Sequence, residues 1–225
     1  MKRALVSGAS SGIGAAIVTQ LLADGWLVTG LSRSPPPFTH GNFTAIPVDL
    51  SNRHALLAAL APMAPPQAII HAAGAMAAAR LGELDAERSE TLWRLHVDAA
   101  QTLANRFAPS MSQGGRIILL GSRTSRGAAG RSQYTATKAA LVALARSWGA
   151  ELAHAGITVN VVAPGATDTP MLRQPGREGS PPQVPPIGRL IKPQEVVSLI
   201  RWLLSEDAAA MTGQELVICG GASLV

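Results

Sequence analysis

Lys2-Arg-Ala-Leu-Val6 runs directly into Ser7-Gly-Ala-Ser-Ser-Gly-Ile-Gly14, and Ala15-Ala16-Ile17-Val18 with Leu21-Leu22 follow before Asp24-Gly25. A short strand with an apolar run, a glycine turn, and apolar residues at helical spacing stand in that order. In this context the glycines mark a phosphate site, because the backbone N–H groups at a helix start face an anion. Gly8 permits the sharp turn, while Gly12 and Gly14 let the backbone approach a pyrophosphate and the helix pack on the sheet. The spacing is Gly-x-x-x-Gly-x-Gly, a variant of the commoner Gly-x-Gly-x-x-Gly. Gly8, Ser10, Ser11, Gly12, Ile13 and Gly14 are therefore candidate contacts to a dinucleotide.

Outward from this stretch, residues 27–31 read as a second strand closed by Ser32-Arg33-Ser34. An acid at this strand tip grips an adenosine ribose 2′-hydroxyl and selects NAD(H). None is present. Arg33 offers a planar fork suited to a 2′-phosphate, with Ser32 and Ser34 as extra donors, which points to NADP(H) over NAD(H) against the plainer reading of a solvated loop arginine. Pro35-Pro36-Pro37 blocks a helix, so a stiff crossover leads to a third strand at 43–48. Asp49-Leu50 at its end could meet an adenine amino group, or Asp49 could cap the helix beginning near Asn52.

Ala68-Ile69-Ile70-His71 is the next strand, and Ala72-Ala73-Gly74 after it are small enough for a flat ligand to lie against the backbone. Residues 85–108 read as one long helix carrying His96, and 116–120 as a buried strand with Gly121-Ser122 at its tip. A loop over 123–133 returns to a helix that opens with Tyr134-Thr-Ala-Thr-Lys138 and runs to about 155. Residues 158–162 and 215–219 supply further strands, and 194–204 another helix introduced by Pro193. The stretch 171–187, rich in Pro and Gly without a helical or strand period, reads as a flap. Strands alternating with helices predict one α/β domain over 1–225. Its doubly wound parallel sheet carries helices on both faces, with ligands beyond the carboxyl ends of the strands.

Tyr134 and Lys138, four apart on a helix, share a face with their Cβ atoms about 6 Å apart. A free phenol titrates near ~10, and a cation within ~4–6 Å favours the phenolate. Such a phenol can give or take a proton near neutral pH.

Composition limits the alternatives. A chain of 225 residues with 47% hydrophobic and 15% charged residues fits a compact globule rather than a disordered segment. The net charge of +5 comes from 19 scattered Lys and Arg, without a run of five or six, so a nucleic-acid partner is not expected. An anionic cofactor or substrate suits the same balance. Cys219 stands alone, and His40, His54, His71, His96 and His154 have no metal-ligand spacing, so no disulfide within the chain and no metal are expected. Ala4-Leu5-Val6 is too short for a signal-peptide core, and no run approaches the ~20 apolar residues of a membrane span. The expectation is a cytoplasmic protein without a membrane partner.

Taken together, Ser7-Gly8-x3-Gly12-Ile13-Gly14, Ala72-Ala73-Gly74, Ser122, Tyr134-x3-Lys138, Pro164-Gly165 and the closing Gly220-Gly221 resemble the short-chain dehydrogenase/reductase family, in order over nearly the whole chain. The resemblance implies a seven-stranded Rossmann-type sheet and an NAD(P)-dependent oxidoreductase acting on a small-molecule carbonyl or secondary alcohol. It implies that Ser122 and Tyr134 hold the reacting oxygen and Tyr134 transfers the proton. Lys138 then depresses the tyrosine pKa and bonds the nicotinamide ribose. Thr167 and Thr169, beyond Pro164 and Gly165, resemble the residues that hold the carboxamide, and Asp49 and Leu50 the adenine-side pair.

Four departures stand out. His96 replaces an asparagine whose backbone carbonyl helps anchor a water on the lysine's proton route, which makes His96 a catalytic candidate through its backbone; its imidazole, like that of His71, is expected to be half-buried and satisfied. His71 replaces the asparagine before Ala-Ala-Gly, Cys219 replaces an aspartate, and the segment between strands two and three is short. His96 is the feature behind a second reading, a catalytically silent dinucleotide-binding sensor or scaffold. Arg123, Arg126, Arg173 and Arg177 would suit an anionic substrate, or equally face solvent on exposed loops. A homodimer or homotetramer through the helices at 85–108 and 134–155 is the family-level expectation; Ala139, Ala140 and Ala143 on the second helix permit close approach but equally suit an internal core.

Overall fold

The computed structural model describes residues 1–36, 38–173 and 183–224. Strands β1 (Arg3–Ser7), β2 (Leu27–Ser32), β3 (Phe43–Pro47), β4 (Ala68–His71), β5 (Arg116–Leu120), β6 (Thr158–Pro164) and β7 (Glu215–Ile218) form one sheet. Its order is β3-β2-β1-β4-β5-β6-β7, and every pairing is parallel. Strands β4, β5 and β6 are buried along their whole length, as the near-continuous apolar runs of a doubly covered parallel sheet require.

Helices α1 (Gly12–Ala23), α2 (Arg53–Leu60), α3 (Ala86–Trp93), α4 (Ala99–Phe107), α5 (Ser132–Leu152) and α6 (Pro193–Leu203) flank the sheet. Ile17, Val18, Leu21, Val196, Val197 and Ile200 bring α1 and α6 onto one face. Leu56, Leu60, Leu103, Phe107, Leu141 and Ala145 bring α2, α4 and α5 onto the other. The chain moves outward from β1 through β2 to β3, then crosses back to β4. The crevice at the carboxyl ends of β1 and β4 is thus the switch point where doubly wound folds bind ligands.

Several boundaries differ from the sequence reading. The 85–108 rod is interrupted by a π-helical turn, Arg94–Asp98, closed by Ala99 N–H donating to the Arg94 carbonyl five residues back. One residue beyond the α-helical count rotates α4 relative to α3, and His96 and Val97 are buried in that turn. The 123–133 loop contains a 3-10 turn, Arg123–Arg126, and α5 starts at Ser132. Asn52, not Asp49, caps α2: its Oδ1 accepts Ala55 N–H at 3.0 Å. Asp49 instead closes a turn, accepting Ser51 N–H at 2.9 Å and Ser51 Oγ–H at 2.7 Å. The expected 171–187 flap begins with a 3-10 turn, Pro170–Arg173; its stretch 174–182, with Arg177, lies outside the described residues. Among the described residues no helix is long and apolar enough to cross a membrane.

Candidate functional site

Two glycines set the geometry of the switch point. Gly8 has φ 72°, and a Cβ there would stand 2.7 Å from Ala73 Cα. A Cβ on Gly14 would stand 2.0 Å from the Gly8 carbonyl oxygen, so the turn closes on itself with no room for a side chain. Ser11 precedes α1 but its side chain does not cap it, which leaves the amide dipoles of the helix start open to an anion. Gly8 N–H donates to Leu31 O at 2.8 Å, tying the turn to the end of β2. Ser32 and Arg33 lie at that end: Ser32 is buried with its hydroxyl on Ser34 O at 2.7 Å, and Arg33 is exposed. Asp49 is held below the usual carboxylate range by its Ser51 hydrogen bonds, with a smaller contribution from the Arg33 charge. Leu50, behind it, is buried.

Beyond the carboxyl ends of β4, β5 and β6 lies a cavity of about 420 Å³. Ile13, Ala72, Gly74, Ser122, Tyr134, Lys138, Pro164, Gly165, Thr167 and Thr169 all line it. The glycine turn borders it, since the position of a Cβ on Gly12 is 3.4 Å from the Thr169 side chain. Gly74 is a cradle that a methyl group would fill: a Cβ there would lie 3.1 Å from His96 Nε2 and 3.5 Å from Lys138 Nζ. A narrow floor, an uncapped helix start and an arginine at the β2 tip together fit a dinucleotide.

Lys138 is 4% exposed and donates through Nζ to Leu120 O at 2.8 Å. Burial pushes its pKa down to about 7. Its Nζ lies 5.8 Å from the centre of the Tyr134 ring, and the His96 ring stands edge-on to Tyr134 at 5.8 Å. Ser122 Oγ accepts Thr124 N–H at 3.2 Å and sits 2.9 Å from Thr124 Oγ1. Thr167 Oγ1–H donates to Gly165 O at 3.1 Å and Thr169 Oγ1–H to Thr167 O at 3.3 Å, so both threonines are held by their own loop.

The two histidines are more buried than the sequence suggests, each 0% exposed. His96 Nε2 accepts Ala75 N–H at 3.0 Å and Nδ1 lies 2.8 Å from Thr137 Oγ1. His71 Nδ1 lies 2.8 Å from Ser7 Oγ, which accepts Ala73 N–H at 3.3 Å. His71 Nε2 has no partner at hydrogen-bond geometry among the described residues, although the His96 and Leu95 backbone lies near enough to oppose the fall of its pKa. Burial, then the Lys138 charge, carries that pKa down to about 3. The same two causes hold His96 well below the usual imidazole range, with His71 adding to them.

The loop arginines divide. Arg123 lines the cavity while its Nη1 donates to Ala222 O at 3.1 Å. Arg126 is exposed with Glu215 at 3.9 Å, and Arg173 pairs with Asp168. Arg131 also lines the cavity. Sequence reasoning missed Thr124, and the side-chain contacts of Ser7 and Thr137 within the motifs it quoted, because a Thr or Ser hydroxyl carries no signal until the fold shows what it meets. Cys219 packs against the Gly165 backbone, where a Cβ on Gly165 would lie 2.9 Å away.

Residues 8–223 match a family profile described as Enoyl-(Acyl carrier protein) reductase. The chain is 33% identical over 225 residues to the 3-oxoacyl-[acyl-carrier-protein] reductase MabA of Mycobacterium tuberculosis, covering 96% of this chain and 91% of that protein. It superposes on a short chain dehydrogenase family protein from Francisella tularensis with a TM-score of 0.91 at 26% identity, covering 100% of both chains. It also superposes on BdcA in complex with NADPH with a TM-score of 0.84 at 30% identity, covering 97% of this chain and 93% of that one. The chain is thus a member of the short-chain dehydrogenase/reductase family, an oxidoreductase acting on carbonyl and alcohol groups with NAD(P).

Proposed function

We propose that this enzyme is an NADP(H)-dependent reductase of 3-oxoacyl thioesters, with Tyr134 as the proton donor. The observation that carries the reading is the convergence of Ser122, Tyr134 and Lys138 on one cavity, with Gly74 and Thr169 on its walls. The nicotinamide, when bound, supplies or accepts the hydride at the reacting carbon. Ser122 donates to the carbonyl oxygen, where negative charge grows, a role worth roughly 2.7–4 kcal/mol in comparable sites. The Tyr134 hydroxyl gives that oxygen its proton, and the nearby Lys138 ammonium stabilises the phenolate left behind. The new phenolate in turn favours the charged lysine, against the desolvation that lowers its pKa.

Binding of the dinucleotide is assigned to Gly8, Ser10, Ser11, Gly12, Ile13 and Gly14 at the pyrophosphate and to Asp49 and Leu50 at the adenine. Ala72, Ala73, Gly74 and Lys138 serve the ribose side, and Pro164, Gly165, Thr167 and Thr169 the nicotinamide. Ser32 and Arg33 take the 2′-phosphate: Arg33 is exposed at the tip of β2 and no acid stands on that strand. The substrate class comes from the relative MabA, named a 3-oxoacyl-[acyl-carrier-protein] reductase. Met76, Met171 and Leu172 give the cavity an apolar side suited to an acyl chain. Assembly through α4 and α5 as a homodimer or homotetramer belongs to the same reading.

The test monitors NADPH absorbance in the presence of acetoacetyl and longer 3-oxoacyl thioesters. Oxidation faster with NADPH than with NADH is the expected result. Tight NADPH binding without turnover of any 3-oxoacyl thioester overturns the substrate class.

A further inference from the structure

The buried imidazole of His96 has a job that the proton transfer itself leaves unassigned. A backbone N–H can only donate, so the 3.0 Å contact from Ala75 N makes His96 Nε2 an acceptor. A neutral imidazole with Nε2 unprotonated carries its proton on Nδ1. Nδ1–H therefore donates to Thr137 Oγ1 at 2.8 Å, because donation in the other direction would leave the ring with no proton at all. The hydroxyl has one proton of its own, and it goes to the backbone carbonyl of Tyr134 at 2.8 Å. The chain runs one way: Ala75 N–H to His96, His96 to Thr137, Thr137 to Tyr134 O. Every donor has an acceptor.

Thr137 bonding back to Tyr134 is by itself ordinary for a helical threonine. What is particular here is the ring on its other side, buried completely and reaching across from the π-helical turn to the wall that carries Gly74. The ring packs tightly against Gly74, where a Cβ would meet Nε2 at 3.1 Å and the imidazole would have to give by a few tenths of an ångström. We propose that the His96 side chain is a positioning residue: through Thr137 it fixes the Gly74–Ala75 wall of the cavity to the backbone of Tyr134. The phenol and the surface against which the flat part of the cofactor rests are then held in one register by three hydrogen bonds. This inference rests on the reductase reading for its kinetic consequence, not for its geometry. The low basicity of the ring agrees with it, because an imidazolium would turn a proton on Nε2 toward the Ala75 N–H.

The experiment combines ¹⁵N NMR of the histidine-labelled wild-type protein with the kinetics of His96→Gln, Thr137→Val, Thr137→Ser and the double variant His96→Gln/Thr137→Val. The wild-type spectrum should show His96 as the Nδ1–H tautomer. Each of His96→Gln and Thr137→Val should lower kcat about tenfold with KM for NADPH within about twofold, and the double variant should be no worse than the poorer single one. Thr137→Ser, which keeps the hydroxyl, should restore kcat. The Nε2–H tautomer, or losses that multiply in the double variant, overturns the relay, and the spectrum decides even if a variant fails to fold. A wild-type protein that shows the Nδ1–H tautomer but reduces no carbonyl substrate removes the reductase reading and leaves the relay in place.

Discussion

Lys138 Nζ stands 5.8 Å from the centre of the Tyr134 ring while its proton is held by Leu120 O at 2.8 Å. The lysine is thereby fastened to the last residue of β5, one position short of Gly121 and two short of Ser122. Three groups separated by 16 residues in sequence, from Ser122 to Lys138, are held in one frame by the sheet edge and the first turns of α5.

Replacing Tyr134 by Phe removes the hydroxyl proposed as the proton donor and keeps the buried ring. Turnover should fall by roughly 10²–10⁴-fold, the usual worth of a positioned acid, while the dissociation constant of NADPH stays within a few-fold. Steady-state rates with a 3-oxoacyl thioester, together with a fluorescence titration of NADPH, make the check. A variant that retains more than a tenth of the rate removes Tyr134 from its role.

Arg33→Ala tests the choice of cofactor. Hydrogen bonds to a charged group contribute about 1.5–3 kcal/mol, so NADPH binding should weaken by at least about tenfold while NADH binding is unchanged. Equal losses for both cofactors would mean that the exposed guanidinium does not meet a 2′-phosphate.

His71 gives the unliganded protein an acid-sensitive stability. Its pKa falls from the ordinary 6.5 to about 3 on folding. Between these values the unfolded chain binds a proton that the folded chain does not, so stability is full above pH 6.5 and is lost as pH falls toward 3. By about pH 5 the loss is on the order of 2 kcal/mol. Lys138, lowered from 10.5 to about 7, works in the same direction in a higher window: stability rises as pH climbs from about 7 to 10.5. Urea denaturation across pH 4 to 8 with wild type and His71→Asn checks the lower window. Parallel curves for the two proteins would refute the assignment to His71.

Gly14→Ala should be among the most damaging single changes in the chain. Its methyl would stand 2.0 Å from the Gly8 carbonyl oxygen, and backbone cannot yield as a side chain can. The expected loss exceeds the ~1–3 kcal/mol typical of overpacking, read as a shift in the urea midpoint of the unliganded protein. Stability within about 0.5 kcal/mol of wild type would show that the turn opens to accept the methyl.

Much of the architecture is legible without coordinates. The strand, glycine turn and helix at 3–23 follow from local chemistry, since only glycine serves where φ is positive or another backbone passes at contact distance. The spacing of Tyr134 and Lys138 likewise needs only the helical repeat. Alternating strands and helices give the doubly wound sheet for the same reason: each element must bury one face. The π-helical turn at Arg94–Asp98 was not legible. Its buried residue His96 meets Ala75 and Thr137, partners 21 and 41 residues away in sequence, which no local pattern announces.

The sequence by itself determined the glycine turn, the strand and helix alternation and the Tyr134–Lys138 spacing, because backbone freedom and helical repeat belong to residues wherever they are placed. Tertiary structure decided which polar groups lose their water and whom they meet: that His71 and His96 are fully buried, that Lys138 is desolvated, and that Thr137 and Thr124 face His96 and Ser122. Burial and hydrogen-bond partners depend on residues far apart in the chain, and only the folded sheet brings them within reach of one another.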